Sequence, residues 1–207
     1  MPSLANIRAA IMDDPANQVY TKQGIKPLFQ ADCQAKILLV GQAPGLKAQE
    51  RQLLFADPSG DNLRAWLGVN KATFYNPRQI AILPMDFYYP GRGKSGDVPP
   101  RKDFAAKWHP QILDNMPQLE LVLLIGQYAQ DHYLKEKKRR TLTATVRSYK
   151  EYLPQFFPLV HPSPRNNIWQ ARNPWFKEEL VPALQKIVKK MLSDYENSYN
   201  SEEKMIY

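Results

Sequence analysis

Two short loops carry the residues of this chain that are best suited to chemistry. The first, Gly41–Gly45 (G-Q-A-P-G), contains two glycines and a proline. These residues favour a tight turn whose backbone N–H groups converge on an oxygen atom or an anion. The second, His161–Asn167 (H-P-S-P-R-N-N), joins an imidazole to the hydroxyl, guanidinium and amide groups that commonly contact phosphate. A lone histidine or glycine turn is often structural, so the elements that position these loops decide their interpretation.

Four short apolar runs predict buried strands, because each is too short for a helix and lacks polar alternation. They are Ile37–Val40, Gln79–Leu83, Leu119–Ile125 and Phe156–Val160. Helical segments alternate with these runs, which indicates an α/β fold with a parallel sheet covered on both faces. The carboxyl ends of parallel strands meet at one sheet edge, where such folds bind ligands. The two loops, each following a strand, are therefore predicted to form one site.

Helix-forming segments are predicted from apolar spacing and capping residues. Ser3 is expected to cap a helix that ends near Met12, and Asp61 to cap a helix over residues 62–67. Further helices are expected over residues 104–116, 127–134, 143–152 and 177–192. His109 and His132 lie within these segments and are interpreted as structural. Residues 1–192 are expected to form a single domain, and the polar residues 193–207 a disordered tail.

A long segment, residues 84–101, follows the second predicted strand. It contains three glycines, four prolines and three basic residues, and long loops in compact domains are often functional. The basic residues and Phe87, Tyr88 and Tyr89 suit phosphate contacts and base stacking. Equally, the aromatic residues could anchor a solvated loop to the domain. Phe55 also has two interpretations, either as a core residue or as a platform for a flat ring.

The overall composition favours a globular protein with a polyanionic partner. The net charge of +8 and the pI of about 9.5 suit nucleic acid, although many basic proteins do not bind it. Cys33 is the only cysteine, which excludes an internal disulfide and any all-cysteine zinc or iron–sulfur site. No apolar run approaches the ~18 residues of a membrane span, and no signal-peptide pattern is present. We expect a cytoplasmic protein with no cofactor, no metal and no membrane partner.

In their order along the chain, the motifs resemble those of the uracil-DNA glycosylase superfamily over roughly residues 36–192. The G-Q-A-P-G loop is similar to the water- and base-binding loop of the iron–sulfur branch. Phe55 precedes Ser59-Gly60, and H-P-S-P-R-N is more similar to the single-strand-selective monofunctional branch. The resemblance implies a three-layer α/β/α sandwich with a central four-stranded parallel sheet. It also implies DNA, single- or double-stranded, as the partner.

The resemblance implies a role for each motif residue. Phe55 would stack on a base flipped out of DNA, and His161 would donate a hydrogen bond to the pyrimidine O2. Gly41 and Ala43 would bind the base edge through their backbone, and Gln42 would position water. The remaining motif residues would contact DNA, with two serines on phosphates and four residues as a wedge in the vacated stack: Ser59 and Ser163, then Pro164, Arg165, Asn166 and Asn167.

Two departures from the superfamily pattern bear on catalysis. Members commonly carry a carboxylate or an asparagine in the first loop, where this chain has Gln42 and Ala43. Glutamine can hold a water molecule but cannot deprotonate it. The asparagine that often follows the second strand is also missing from residues 83–85, and Asp86 is the nearest polar substitute.

The leading functional hypothesis is a monofunctional DNA glycosylase that hydrolyses the N-glycosidic bond of uracil or a related deaminated base, in base excision repair. The alternative is a catalytically weak nucleic-acid-binding member of the same fold, which the two departures favour. An α/β-hydrolase-like or nucleotide-binding enzyme is a weaker reading, because the sequence lacks G-x-S-x-G and a P-loop. The oligomeric state is open, with a monomer expected.

Overall fold

The computed structural model describes residues 1–94 and 96–204 of the chain, with side chains described through Ser193. Its centre is a four-stranded parallel sheet in the order β2-β1-β5-β6. A small antiparallel hairpin of β3 and β4 lies apart from it. The strands are β1 (Ile37–Val40), β2 (Ile80–Ile82), β3 (Arg92–Gly93), β4 (Gly96–Asp97), β5 (Leu121–Ile125) and β6 (Phe156–Leu159).

Helices cover both faces of this sheet. They are α1 (Leu4–Asp13), α2 (Gln18–Thr21), α3 (Leu46–Arg51), α4 (Pro58–Leu67), α5 (Lys71–Phe74), α6 (Phe104–Leu113), α7 (Gln127–Leu134), α8 (Leu142–Arg147), α9 (Asn167–Arg172) and α10 (Val181–Lys204). Short 3₁₀ turns occupy Pro15–Asn17, Lys135–Lys137, Tyr149–Tyr152 and Pro164–Asn166, and a π-helical turn, Phe176–Leu180, leads into α10. In the part of the chain described, no helix is both long and apolar enough to cross a lipid bilayer.

The alternation of side chains along β1 explains the three layers. Ile37 and Leu39 belong to a core shared with α4, α5 and α10, whereas Leu38 and Val40 belong to a core shared with α1, α6 and α7. All residues of β1, β2 and β5 are buried, as expected for a parallel sheet covered on both faces. The predicted fold class, a three-layer α/β/α sandwich, is confirmed, and the four predicted strands are all present.

The start of α4 differs from the sequence prediction. The helix begins at Pro58, and the Asp57 carboxylate caps it by accepting a hydrogen bond from the Gly60 N–H at 3.1 Å. Proline at the first helical position after an aspartate is a strong start signal, so the predicted cap at Asp61 was wrong. By contrast, the Ser3 cap of α1 is confirmed, with Oγ accepting from the Asn6 N–H at 3.2 Å.

Two further boundaries differ. The segment predicted as one helix over residues 143–152 divides at Ser148 into α8 and a 3₁₀ turn. The last helix continues to Lys204, beyond its predicted end at residue 192, and the disorder predicted for residues 193–207 stays a prediction. No glycine or proline follows Pro182 to stop this helix. Residues 205–207 of the predicted tail lie outside the described residues.

Candidate active site at the carboxyl edge of the sheet

The loops after β1 and β6 leave the same edge of the sheet, as the parallel topology predicts. Between their strands lies β5, which is followed by Gly126 at a φ of +81°. A Cβ atom on Gly126 would lie 3.9 Å from the Cβ of His161. The neighbouring ends of β5 and β6 therefore bring the backbone turn at Gly126 against the imidazole loop.

Phe55 lies directly on the first loop. A Cβ atom added to Gly41 would lie 3.3 Å from Cζ of the Phe55 ring, so a larger residue at position 41 would press on the ring. The ring also meets Phe74 edge-on, with centroids 6.1 Å apart. The half-buried ring packs on the core and still borders the Gly41 loop. Both readings of Phe55, core residue and aromatic platform, are compatible with this position.

The first turn of α4 is packed against the Phe55 backbone. A Cβ atom on Gly60 would overlap the carbonyl oxygen of Phe55, so the close approach requires glycine there. Ser59, in the same turn, is buried. Further along α4, the Asn62 Nδ2 donates a hydrogen bond to the Pro162 carbonyl at 2.8 Å. Helix α4 thus connects Phe55 with the loop that contains His161.

The imidazole of His161 has one occupied nitrogen. Its Nδ1 accepts a hydrogen bond from the backbone N–H of Ser163 at 3.2 Å, so in the neutral ring the proton lies on Nε2. No described residue forms a hydrogen bond with Nε2, and this atom reaches the molecular surface. Burial lowers the pKa of His161 and Asp57 opposes that shift, which favours the neutral ring with a free Nε2–H donor.

The backbone of the second loop is fixed by its own side chains. Asn166 Nδ2 donates to the His161 carbonyl at 2.6 Å, and the Ser163 hydroxyl accepts from the Arg165 N–H at 3.3 Å. Pro164, Arg165 and Asn167 are exposed. These hydrogen bonds hold the turn after His161 while its outer residues remain accessible to a ligand.

The first loop contributes mainly backbone. The carbonyl of Gly41 accepts from the Met85 N–H at 2.9 Å, and that of Gln42 accepts from the Asp86 N–H at 3.2 Å. The side chain of Gln42 is half-buried and forms no hydrogen bond with a described residue. With Ala43 beside it, this loop presents one amide side chain and no carboxylate.

A family model for the uracil DNA glycosylase superfamily matches residues 28–185. The match covers most of the chain, including both loops and Phe55. The chain belongs to this superfamily. Members of this superfamily are generally hydrolases that act as glycosylases on DNA. Among solved structures, the chain is similar to the solution NMR structure of a candidate uracil DNA glycosylase from Methanosarcina acetivorans. That similarity has 14% identity and a TM-score of 0.45 over 76% of this chain and 93% of the other, and it carries no functional argument.

In this superfamily member, Asp86 does not replace the missing polar group of the second strand. Its carboxylate is fully buried and accepts from Arg101 Nε at 2.7 Å, Arg101 Nη2 at 2.9 Å and the Tyr88 N–H at 3.1 Å. A carboxylate whose oxygens are all engaged cannot also bind a base edge. Asp86, the nearest polar substitute in the sequence, is therefore not available for that role.

The aromatic residues of the long segment after β2 anchor it to the domain. Phe87 and Tyr88 are fully buried, and Tyr88 stacks on Tyr20 with ring centroids 4.3 Å apart. Base stacking by Phe87 and Tyr88 is therefore wrong as a prediction, since a buried ring cannot receive a base without displacing the core. The described residues contain no cluster of three or more His, Cys, Asp or Glu side chains arranged to hold a metal ion.

Arg64 and Tyr75, which no sequence motif singled out, contact the backbone of Phe55. The Tyr75 hydroxyl lies 3.0 Å from the Leu54 carbonyl oxygen and 3.2 Å from that of Phe55. Arg64 lies in α4 and is almost fully buried. One feature of the sequence could have indicated the position of Arg64. Gly60, Arg64 and Leu67 have the i, i+4, i+7 spacing of a single helix face.

Proposed function

We propose that this protein is a monofunctional DNA glycosylase that hydrolyses the N-glycosidic bond of uracil or a related deaminated base in DNA. The observation that carries this proposal is the single occupied nitrogen of His161, in a chain of the uracil DNA glycosylase superfamily. The Ser163 N–H occupies Nδ1, which leaves the Nε2–H as a donor for an oxygen of a bound base.

His161 acts in the proposed reaction as a hydrogen-bond donor. When the N-glycosidic bond breaks, its electron pair moves to the base, and negative charge develops on the pyrimidine O2. The Nε2–H stabilises that charge, and loss of one such fixed donor typically costs ~10²–10³ in rate. Water adds to C1′ of the cation-like sugar; one of its hydrogens stays on the new hydroxyl, and the other leaves as a proton that the anionic base or the solvent takes up. A neutral imidazole suits this role, because it donates without transferring a full proton.

The base would stack against the Phe55 ring beside the first loop, because the ring itself already contacts Gly41. The Phe55 ring offers a flat surface for stacking, and the backbone N–H groups of Gly41 to Ala43 would bind the base edge. Gln42 would orient the attacking water through its amide. Since the first loop has no carboxylate, the proposed mechanism depends on stabilising the leaving base more than on deprotonating water.

The DNA backbone would lie across the loop that carries His161 and across the start of α4. A base within a duplex must be extruded before the pocket can bind it, at a cost of a few kcal/mol. Phosphate contacts from Ser59 and Ser163 would offset that cost. The exposed residues Pro164, Arg165 and Asn167, with Asn166, would fill the gap left in the stack. The net charge of +8 favours the approach of DNA.

A second candidate function is a nucleic-acid-binding protein that retains the pocket but turns over slowly. Two observations favour it. Gln42 replaces a group that could deprotonate water, and the Asp86 carboxylate is engaged by Arg101. The two candidates differ in base release and not in DNA affinity.

Base release under single-turnover conditions tests the proposal. The substrates are single-stranded and duplex oligonucleotides that contain uracil, hypoxanthine or xanthine, with alkali used to nick abasic sites. Product from at least one of them supports the glycosylase. If no substrate reacts while DNA binding with normal salt dependence is present, the binding protein is supported instead. If the protein neither releases a base nor binds DNA, both candidates are refuted.

A further inference from the structure

We propose that Arg64 and Tyr75 are positioning residues, which hold the backbone of Phe55 in a left-handed conformation and thereby place its ring on Gly41. The structural part of this inference stands on contacts alone. Its catalytic consequence rests on the proposed function, in which Phe55 stacks on the base.

Phe55 has a backbone conformation that an aromatic residue rarely adopts. Its φ is +54°, in the left-handed region that mainly glycine, asparagine and aspartate visit. Such a conformation persists only where surrounding contacts hold it. The position therefore requires a specific restraint, and the contacts of the Phe55 carbonyl supply one.

Donors from two helical segments converge on the turn. The Tyr75 hydroxyl, just after α5, lies within hydrogen-bonding distance of the Leu54 and Phe55 carbonyl oxygens, at 3.0 and 3.2 Å. Arg64 Nη1 lies 3.4 Å from the Phe55 oxygen and 3.3 Å from the Tyr75 oxygen. Burial raises the pKa of the Tyr75 hydroxyl and Arg64 opposes the shift, so the group remains a protonated donor.

The charged side chain of Arg64 is almost fully buried, which is unusual for an arginine. Its side chain is 8% exposed, and its Nη2 lies 2.6 Å from the Asp61 carboxylate, which is 70% exposed. The guanidinium carbon also lies 5.2 Å from the ring centroid of Phe74, the residue that meets the Phe55 ring edge-on. Arg64 thus contacts both the backbone of Phe55 and the ring that packs against its side chain.

The restraint fixes the ring as well as the backbone. Gly60 allows α4 to approach the Phe55 carbonyl, and Gly41 allows the ring to lie on the first loop. If the φ of Phe55 changed, the ring would leave Gly41 and the flat surface of the proposed base pocket would be lost. DNA affinity depends mainly on phosphate contacts and would change little.

The first test measures ring position without any substrate. In the wild type, a nuclear Overhauser effect is expected between the Phe55 ring protons and the Gly41 Hα protons. Tyr75→Phe and Arg64→Met should each weaken or abolish it. Tyr152→Phe is the matched control, because its hydroxyl donates to the Lys137 carbonyl at 3.0 Å, away from the site. An unchanged effect in both test variants would overturn the proposal, whatever the enzyme does.

The second test uses the single-turnover rate constant for base release. Tyr75→Phe should lower it about fivefold, the loss expected from one removed hydrogen bond, while Tyr152→Phe leaves it unchanged. In a Phe55→Ala background, Tyr75→Phe should not lower the rate constant further, because the effect of Tyr75 acts through the Phe55 ring, which that variant lacks. Full additivity of the two substitutions would overturn the proposal, since it would indicate a general loss of stability.

The two tests separate the positioning role from the proposed function. A lost ring contact with an unchanged rate constant would confirm the positioning and contradict the stacking role of Phe55. A wild type without base release on any substrate would refute the proposed function, and the ring contact would still decide the positioning.

Discussion

Two histidines in this protein differ in burial and in how many of their ring nitrogens have a protein partner. His109, in α6, is 1% exposed and both ring nitrogens are engaged. Its Nε2 lies 2.9 Å from the Pro84 carbonyl oxygen, and its Nδ1 lies 2.7 Å from the Tyr133 hydroxyl. The carbonyl can only accept, so Nε2 donates and Nδ1 accepts. His161 has only Nδ1 engaged, and its Nε2–H has no partner among the described residues.

The comparison separates two properties of a buried histidine, a shifted pKa and a free hydrogen-bond donor. Burial lowers the pKa of both residues, and the larger shift, to about 4, belongs to His109. A shifted pKa in a buried site therefore does not identify the reactive group. We propose that the free donor at the edge of the sheet does, because it can bind a ligand without breaking an existing hydrogen bond.

The largest effect is expected from His161→Ala. Removing the proposed donor should lower the single-turnover rate constant by ~10²–10³. The free energy of unfolding should change by less than about 1 kcal/mol, because only one ring nitrogen has a protein partner. DNA affinity should be nearly unchanged, and its collapse would show that the role assigned to His161 is wrong.

For His109→Phe we expect the reverse, a large loss of stability with little change in the rate of base release. The new ring keeps the stacking on Phe87, whose centroid lies 5.7 Å away, but it leaves the Pro84 carbonyl and the Tyr133 hydroxyl unpaired. Two unsatisfied buried groups should cost about 3 kcal/mol of unfolding free energy, measured by urea denaturation. The rate constant for base release, measured on the folded fraction, should stay within about threefold. A fall in this rate constant as large as that expected for His161→Ala would contradict the proposed difference between the two histidines.

Acid should destabilise the wild type through His109. Its folded pKa of about 4 lies below the ordinary value of 6.5, so the unfolded chain binds more protons between these values. The stabilising contribution is complete above pH 6.5 and falls by about 3 kcal/mol as the pH drops to 4. His109→Phe should show a shallower decline of unfolding free energy over this range. If the unfolding free energies of the two proteins fell equally with pH, His109 would not be the cause of the acid sensitivity.

A smaller effect is expected from Gln42→Ala. The amide is proposed to orient water, and one hydrogen bond is worth about 1 kcal/mol, or roughly fivefold in rate. The unfolding free energy should not change, because the Gln42 side chain forms no hydrogen bond with a described residue. An effect equal to that of His161→Ala would move the main catalytic role to the first loop.

The sequence predicted the parts of the fold that depend on local pattern. Four short apolar runs form the strands β1, β2, β5 and β6. Their parallel orientation follows from the helices between them. The loops at Gly41 and His161 were placed at one sheet edge for the same reason. The start of α4 was missed although Asp57-Pro58 carries the signal, because Asp61 also suits a cap.

Features that depend on distant contacts could not be predicted. Asp86 contacts Arg101, which lies fifteen positions further along the chain, and no periodicity identifies that pair. Tyr75 reaches the Phe55 carbonyl only because α4 and α5 pack on the same core. The tautomer of His161 depends on one backbone N–H in a proline-rich turn. Each of these contacts requires the folded geometry.

The proposed chemistry depends on one proton, the hydrogen on Nε2 of His161. Long-range ¹H–¹⁵N correlation NMR at neutral pH reports which nitrogen carries it. We predict a neutral ring with a protonated Nε2 and an unprotonated Nδ1. A proton on Nδ1, alone or together with one on Nε2, would contradict the proposed donor, because the hydrogen bond from Ser163 would then be impossible.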